Sequence, residues 1–321
     1  LTYGFPGYDS VMKSSIVGKT VTRYAASGGS NPEIIQKSSG SIGDYVSGFR
    51  AYDASRAYMA TSYSVHSVWE SLDGGATWSE YYDEYPAQVN DIVYDGTSIW
   101  TVLDNGMVYE NTGVSNSEIT TPLRAITAVS TSIIVAVGNV GVIRRTTNGG
   151  TTWATRVSGT TKHIVDVKYA GGTTIYAITD TEILKSADSG DTWTIQSKTG
   201  VSFGKLSVVD ATNAFISSTD GVWKTTNGTD WTRVNTTGAD YVAAYNANSV
   251  AIIGDDGGNY ALFVSQDGGA SFTVKKRFIT NNTTGVYLRG GGVQLWFVDE
   301  GWDGNKVFYQ MNYSGGVTTS Q

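Results

Sequence analysis

The sequence predicts an all-β protein, a β-propeller of four-stranded antiparallel blades. Two observations predict this fold. A turn motif that ends in an aromatic residue recurs at intervals of about 40 residues, or twice that. The chain between two turns holds four short runs of β-branched and aromatic residues, separated by Gly, Asp and Asn. Four strands in such a repeat are typical of a propeller blade, and no sequence window shows a sustained helical period.

The turn motif is present in five clear copies, at residues 71–78, 146–153, 186–193, 225–231 and 265–272. Each copy has an Asp or Asn that can accept hydrogen bonds from backbone amides, then glycine, which tolerates positive φ, and a closing Trp or Phe. We expect the closing ring to pack between adjacent blades. The predicted structural residues are Asp73, Trp78, Asn148, Trp153, Asp188, Trp193, Asn227, Trp231, Asp267 and Phe272.

The second run of each repeat is the most apolar. Examples are residues 99–103, 133–137, 250–253 and 295–298. A strand that is apolar on both faces is buried on both faces. We therefore expect these runs to lie inside a blade that is covered by a blade on either side.

The turn motifs resemble the BNR or Asp-box repeat, whose pattern is Ser/Thr-x-Asp-x-Gly-x-Thr-Trp/Phe. The resemblance covers nearly the whole chain, and residues 135–153 are most similar to the photosystem-assembly branch. The family includes sialidases, xyloglucanases, sortilin-type receptors, photosystem assembly propellers and phage structural proteins. The resemblance therefore implies a propeller fold much more firmly than it implies one function.

The number of blades follows from counting motif positions. Worn copies near residues 27, 111 and 312 raise the number to eight. We therefore predict one domain of eight blades, with seven as the alternative, since the family more often has seven blades closed by an N-terminal strand. The expected repeats are residues 1–39, 40–87, 88–123, 124–160, 161–200, 201–238, 239–281 and 282–321.

Composition narrows the classes of function. The chain has 22 basic and 29 acidic residues, a formal charge of −7, which disfavours binding to nucleic acid or to an anionic membrane. It has no cysteine and only two histidines, which disfavours thiol catalysis and zinc sites. No apolar stretch is long enough for membrane insertion. Charged residues make up 16% of the chain, against about 25% in typical domains, and such a neutral polar surface is common outside cells.

A catalytic function has one candidate set of residues. Sialidases of the resembled family use three arginines, and Arg50, Arg124 and Arg289 all fall in first-strand runs here. The family's early Phe/Tyr-Arg-Ile-Pro motif is reduced to residues 49–52, which lack Ile-Pro. A sialidase-like glycoside hydrolase is therefore the alternative function rather than the leading one.

Acidic residues mark the loops between the second and third strands. In a propeller these loops share the face opposite the turn motifs, so they predict a ring of carboxylates. Such a ring is a candidate site for Ca²⁺ or for a hydroxyl-rich ligand, although Asp-Gly and Asn-Gly are also favoured in hairpin turns. Trp302 lies between acids and is the first candidate for a sugar contact. The candidate ligand-binding residues are Asp104, Asp180, Asp220, Asp255, Asp256, Asp299, Trp302 and Asp303.

The leading hypothesis is a non-catalytic propeller that serves as a scaffold or recognition module. We predict an extracellular, cell-surface or virion location and a partner that is a glycan or another surface protein, with homo-oligomerisation as a further option. An assembly factor resembling the photosystem-associated propellers is a second alternative. Tyr81, Tyr82 and Tyr85 crowd the end of one repeat and would serve equally as partner contacts or as packing between blades. No cofactor is predicted apart from the candidate Ca²⁺ site.

Overall fold

The computed structural model describes residues 16–17, 23–24, 33–41, 45–52, 55–62, 66–116, 118–198, 201–258, 260–277, 287–291, 294–300 and 305–312. The regular structure of these residues is almost wholly antiparallel β-sheet, with one 3-10 turn at Asn139–Gly141. Within the described ranges, no helix is long and apolar enough to cross a membrane.

Three strands precede the repeats. They are β1 (Ile16–Val17), β2 (Arg23–Tyr24) and β3 (Glu33–Ser41).

Six blades follow, and each is built from four consecutive strands. Blade 1 contains β4 (Tyr45–Ala51), β5 (Ala57–Ser62), β6 (Ser67–Ser71) and β7 (Thr77–Tyr82). Blade 2 contains β8 (Val89–Tyr94), β9 (Ile99–Leu103), β10 (Val108–Glu110) and β11 (Gly113–Asn116). Blade 3 contains β12 (Leu123–Ala128), β13 (Ile134–Gly138), β14 (Ile143–Thr146) and β15 (Ala154–Arg156).

The second three blades repeat this arrangement. Blade 4 contains β16 (Asp166–Tyr169), β17 (Ile175–Ile178), β18 (Glu182–Ser186) and β19 (Thr194–Ser197). Blade 5 contains β20 (Phe203–Val208), β21 (Ala214–Ser218), β22 (Gly221–Thr225) and β23 (Thr232–Asn235). Blade 6 contains β24 (Tyr241–Ala244), β25 (Val250–Asp255), β26 (Tyr260–Ser265) and β27 (Thr273–Arg277).

One further sheet, the closing sheet, joins both ends of the chain. It contains β28 (Tyr287–Gly291), β29 (Gln294–Glu300) and β30 (Asn305–Asn312), and its strand order is β2-β3-β30-β29-β28. Strand β3 pairs antiparallel with β30 along its length, from Glu33 opposite Asn312 to Ser41 opposite Asn305. Strand β28 contacts the first strands of blades 6 and 1, so the sheets form a closed ring.

The predicted number of eight blades, or alternatively seven, is wrong. The structure has six blades made of four consecutive strands, and the remaining sheet is a composite of five strands from distant parts of the chain. The sequence ranges expected to form a first and a last repeat, 1–39 and 282–321, supply strands to this one sheet. Neither range has four strands of its own among the described residues, which explains the overcount.

The second strand of each blade lies in the core. All residues of β9, β13, β17 and β21 are buried, as are Val250–Gly254 of β25. Neighbouring blades cover both faces of these strands, which is why the runs carry apolar residues without alternation. The run at 295–298 lies in β29, whose side chains are outside the described part.

The first strands surround the axis and are joined by a recurring hydrogen bond. In blades 2 to 5, one polar side chain of the first strand accepts from a backbone amide of the next blade's first strand. The four bonds are Ile126 N to Asp91 Oδ2 at 3.2 Å, Tyr169 N to Thr127 Oγ1 at 2.9 Å, Leu206 N to Asp166 Oδ2 at 3.0 Å and Ala244 N to Ser207 Oγ at 2.9 Å. Blades 2 to 6 are thus joined in series beside the axis.

Successive turns of each blade lie at opposite ends of its strands, so the ring has two faces. The motif face carries the turn motifs, between third and fourth strands, and the loops between first and second strands. The acidic-loop face carries the loops between second and third strands and the connections between blades.

Candidate functional site

The turn motifs share one hydrogen-bond pattern. In blade 4 the amide and hydroxyl of Thr192 donate to the carboxylate of Asp188 at 2.9 and 2.6 Å, and the amide of Gly190 donates to Ser186 Oγ at 2.8 Å. The same bonds form around Asp73 and Asp267. In blade 3, Asn148 replaces the Asp: its oxygen accepts from the amide of Thr152, and its amide group donates to the Thr152 hydroxyl.

These bonds shift the acidity of the motif carboxylates. Hydrogen bonds from the hydroxyl and amide of Ser271, and then from Ser265, lower the pKa of Asp267 to about 2. Burial alone would raise the pKa of Asp188, but hydrogen bonds from Thr192, Ser186 and Asp191 lower it to about 2. Each carboxylate is therefore ionised at neutral pH and organises its own turn, which is a structural role.

The motifs also join neighbouring blades. Gly150, in blade 3, lies against the indole of Trp100 in blade 2, where an added Cβ would be 2.7 Å from Trp100 Cη2. The closing Trp153 meets Trp100 edge-on, with ring centroids 6.1 Å apart, and Trp231 meets Tyr176 of blade 4 in the same way at 5.9 Å. Trp78 is fully buried, whereas Trp193 and Phe272 are partly buried against the cores between blades 3 and 4 and between blades 5 and 6.

Three of the five described candidate acids on the acidic-loop face are paired with an arginine. Asp104 lies 2.9 Å from Arg124, Asp220 lies 3.0 Å from Arg233, and Asp256 is paired with Arg277. Asp220 also accepts a hydrogen bond from the indole of Trp223 at 3.1 Å. Asp180 and Asp255 are exposed. The face therefore holds three acid–arginine pairs rather than a bare ring of carboxylates. The arginine partners were not anticipated from the sequence because they lie on other strands.

The candidate sugar contact lies outside the described residues. Trp302 and Asp303 fall in the undescribed segment 301–304, and Asp299 is placed only as a backbone position of β29, opposite Val307. Among the described residues, no three His, Asp or Glu side chains are grouped so that they could hold a metal ion. Ca²⁺ and glycan binding stay predictions.

The two described arginines of the candidate catalytic set have separate partners. Arg50 forms a bidentate pair with Asp91, at 2.6 and 3.2 Å, and also donates to the carbonyl oxygens of Ile92 and Ile126. Arg124 donates to Asn139 Oδ1 at 2.9 Å and pairs with Asp104. The side chain of Arg289 lies outside the described part. Arg50 thus joins the first strands of blades 1, 2 and 3, while Arg124 braces a loop.

A small polar cavity lies between the first strands. Its lining includes Ser47, Asn90, Arg124, Asp166, Lys205 and Tyr241, and its volume is about 30 Å³. That volume holds one or two water molecules, not a sugar ring.

The tyrosines at the end of blade 1 pack between blades. Tyr85 is 5% exposed, and its ring meets Tyr82 at 4.7 Å and Tyr109 of blade 2 at 5.0 Å, both edge-on. Burial raises the pKa of Tyr85, so its hydroxyl stays protonated. Of the two roles proposed from the sequence, the structure places these rings in interblade packing.

A strained loop on the acidic-loop face was missed by sequence reasoning. Val140, in the 3-10 turn of blade 3, has φ 49° and ψ 34°, a left-handed conformation that β-branched residues rarely adopt, and it is 60% exposed. Its amide donates to Nδ1 of His163 at 3.0 Å, and Arg124 holds the preceding Asn139. An apolar residue between Asn and Gly in a surface turn was the available signal.

The ring of antiparallel sheets around an axis defines the β-propeller class. No family model matches the sequence, and no curated protein matches it. Solved structures that do match are propellers. YCF48 from Cyanidioschyzon merolae is 15% identical, with 88% of this chain and 99% of that chain covered and a TM-score of 0.64. A second structure, YCF48 bound to D1 peptide, is 17% identical, with 90% and 97% covered and a TM-score of 0.66. BamB from Moraxella catarrhalis is 16% identical, with 92% and 98% covered and a TM-score of 0.56.

Identities this low show the fold alone. The name of one neighbour records a bound peptide. The narrower assignment to the BNR or Asp-box repeat stays a prediction.

Proposed function

We propose that the protein is a non-catalytic scaffold, of the assembly-factor kind, that binds another protein through its acidic-loop face at blade 3. The observation that carries this proposal is Val140. Its side chain is both 60% exposed and held in a left-handed backbone conformation. Each of these features is unfavourable for the isolated chain, and strain of this kind tends to persist where it serves a site.

The surroundings of Val140 suit a protein partner. The next residue, Gly141, packs against the connection to blade 4, at Ser158 and Thr160. That connection begins with Val157, which is 85% exposed, so two exposed valines lie in adjoining segments. Nearby charges are paired, as in Arg124 with Asp104 and Lys162 with Glu182. A partner can bury such a surface without leaving a charged side chain unpaired.

The comparison with YCF48 bound to D1 peptide agrees with this proposal at the level of fold. It offers an example of a similar propeller that holds a polypeptide. It does not name the partner of this chain, and the predicted extracellular or virion location stays a prediction.

Peptide selection with a stabilised variant tests the proposal. Phage-displayed random dodecapeptides are selected on the native protein, and the enriched peptides are titrated against Val140→Asn. Asn adopts the left-handed conformation more readily than Val, so we expect the free energy of unfolding to rise by about 1 kcal/mol. We expect affinity for the selected peptides to fall at least about tenfold, because the apolar contact is lost.

The control is Val114→Ser, which removes a comparably exposed valine, 51% exposed, from the outer strand of blade 2. It should leave peptide binding unchanged. Peptides that bind equally well to Val140→Asn, or a selection that enriches none, would refute the proposed surface.

A further inference from the structure

We propose that the outer edge of blade 4 is a second binding site, which takes an extended acidic polypeptide segment. The segment adds a strand beside β19 and inserts one apolar side chain into a pocket between blades 4 and 5. This proposal rests on the protein-binding role proposed above and extends it to another surface.

The pocket lies beside a shortened turn motif. In the motifs of blades 1, 3, 4 and 6, the Asp or Asn accepts an amide hydrogen bond from the residue four positions later. In blade 5 the motif is one residue shorter, and Asn227 accepts from the amides of Thr229 and Asp230 at 2.9 and 2.8 Å. Residues Gly228, Thr229 and Trp231 of this motif line one side of the pocket.

The floor of the pocket is aromatic and fixed. The Tyr176 ring is fully buried, and its hydroxyl lies 2.8 Å from the carbonyl oxygen of Ala211 and 3.1 Å from that of Gly228. Trp231 is 5% exposed and meets the Tyr176 ring at 87°. Tyr176 therefore supports the pocket from beneath, and an inserted side chain would meet the exposed edge of Trp231 together with Thr194 and Thr229. A support locked by packing and hydrogen bonds loses little freedom on binding.

The size of the pocket selects a single side chain. Its volume is about 140 Å³. Sites for drug-sized ligands measure about 300–1,000 Å³, whereas a dry cavity of about 150 Å³ holds benzene. The pocket therefore fits one ring or one leucine-sized group.

The strand that borders the pocket has a free edge. Within the described part of the chain, β19 is the last strand of its sheet and pairs with β18 alone. Thr194 and Gln196, two residues apart on β19, line the pocket, so they lie on one face of the strand. A strand added here would direct alternate side chains towards the same face.

The chain itself uses this mode of pairing in blade 1. There β1 adds to the outer strand β7 as a fifth strand, with Ile16 opposite Trp78 and Val17 opposite Thr77. Strand β7 holds the same position in blade 1 as β19 holds in blade 4. The outer edge of a blade in this fold therefore accepts an extended segment, as other sheet edges do.

Charge favours an acidic segment. Lys185 borders the pocket with its ammonium 5.6 Å from the centroid of Tyr176, and Lys198, just after β19, lies 5.6 Å from the Trp223 ring. Lys185 donates to the carbonyl oxygen of Gly228 at 2.8 Å, and no carboxylate of the described residues is shown in an ion pair with either lysine. Of the acids nearby, Glu182 is already paired with Lys162 at 3.5 Å, and Asp230 accepts a hydrogen bond from Asn227 Nδ2 at 2.7 Å. Carboxylates of an added strand would neutralise the two lysines.

A designed peptide and one blocking variant test the site. The probe is a fluorescein-labelled, C-terminally amidated heptapeptide, Thr-Glu-Val-Phe-Val-Glu-Thr, whose Phe and two Glu share one face of a strand, measured by fluorescence anisotropy. Thr194→Trp places a large ring over the pocket from an exposed strand position. The matched control is Thr232→Trp, because Thr232 is also exposed and sits opposite Lys224 of blade 5 as Thr194 sits opposite Lys185 of blade 4.

We expect saturable binding to the native protein and to Thr232→Trp, and at least about tenfold weaker binding to Thr194→Trp. Replacing the central Phe of the peptide by Ala, or the two Glu by Lys, should weaken binding by a similar factor. N-methylation of alternate peptide amides should abolish it, because a methylated strand cannot pair. Absence of binding to the native protein, or equal binding to Thr194→Trp, overturns the proposal.

The Val140→Asn variant separates this site from the proposed function. It should bind the heptapeptide as the native protein does. If Thr194→Trp retains the heptapeptide while Val140→Asn loses the selected dodecapeptides, the edge site is wrong and the proposed function stands. If the native protein binds the heptapeptide and the dodecapeptide selection fails, the edge site stands and the surface at blade 3 is wrong.

Discussion

Gly190 shows why one position of a turn motif must be glycine for two blades to pack closely. Its φ is +86°, and a Cβ at this position would lie 2.8 Å from Cγ2 of Val135 in the neighbouring blade 3. The residue is glycine both because the backbone is left-handed and because the neighbouring blade leaves no room.

We expect Gly190→Ala to lower the free energy of unfolding by about 2–4 kcal/mol, the sum of backbone strain and overpacking. Gly171→Ala is the matched control, because Gly171 lies in the same blade with φ +97° and nothing within 4 Å of an added Cβ. It should cost about 1–2 kcal/mol from strain alone. Urea denaturation of both variants measures the difference, and equal losses would mean that packing against Val135 contributes nothing.

Because the pKa values of the motif carboxylates are lowered in the folded protein, we expect the free energy of unfolding to fall in acid. The folded pKa of Asp188 is about 2, below its ordinary value of 3.8, so its contribution is complete above about pH 4 and is lost as pH falls towards 2. Asp267 behaves in the same way. Asp188→Asn should keep the turn, since Asn148 forms the corresponding bonds in blade 3.

Thermal unfolding between pH 2 and pH 5 checks this expectation. The difference in stability between the native protein and Asp188→Asn should shrink as the pH falls, because the native carboxylate becomes protonated while the amide does not titrate. A difference that is constant across this range would contradict the role assigned to the ionised carboxylate.

At the scale of the strand, the sequence predicts what is local and repeated. Runs such as 99–103 and 250–253 are apolar without alternation, and the structure buries them on both faces, as predicted. The polar side chains that join first strands, such as Asp91 and Asp166, carry no such signal. Each carboxylate accepts from a backbone amide in the next blade, some 35–40 residues away. No local sequence pattern shows which amide will donate to which side chain.

The candidate site was less predictable than the strands for the same reason. The acidic loops could be identified because Asp-Gly and Asn-Gly dipeptides are typical of tight turns, which are local features of the sequence. The arginines that pair with Asp104, Asp220 and Asp256 come from other strands, so the net charge of the face could not be inferred from the loops alone. The turn that holds Val140 packs against the connection to blade 4, a contact that the sequence does not display.

At the scale of the whole molecule, the closing sheet explains why counting motifs overestimates the blades. Strand β3 completes a sheet whose other core strands come from the far end of the sequence. A count of repeats assigns the two ends to separate blades. Pairing between them is a property of the ring rather than of either segment.

Removal of residues 1–41 tests the contribution of this pairing. The deletion removes β3 and exposes the edge of β30, while the contacts of β28 with the first strands of blades 6 and 1 remain. We expect the free energy of unfolding to fall by about 4 kcal/mol, from several lost backbone hydrogen bonds, and Tm to fall by about 6 °C.

Deletion of residues 1–22 is the control, because it removes β1 and leaves β2 and β3 in place. It should lower Tm by a smaller amount. Calorimetric transitions that coincide for the two deletions would show that β3 adds nothing to the ring.

The pairing of β3 with β30 also determines when the closing sheet can form while the chain is being synthesised. Ser41 leaves the ribosome long before Asn305, its partner in the sheet. At the usual 5–20 residues per second, the delay is on the order of 10–50 s. Throughout that time the edge of β3 that will pair with β30 is unpaired. The six blades form before the ring can close. The nascent chain is therefore exposed to misassembly until residues Asn305–Asn312 have been synthesised, and a chaperone that shields strand edges would act on this protein during that interval.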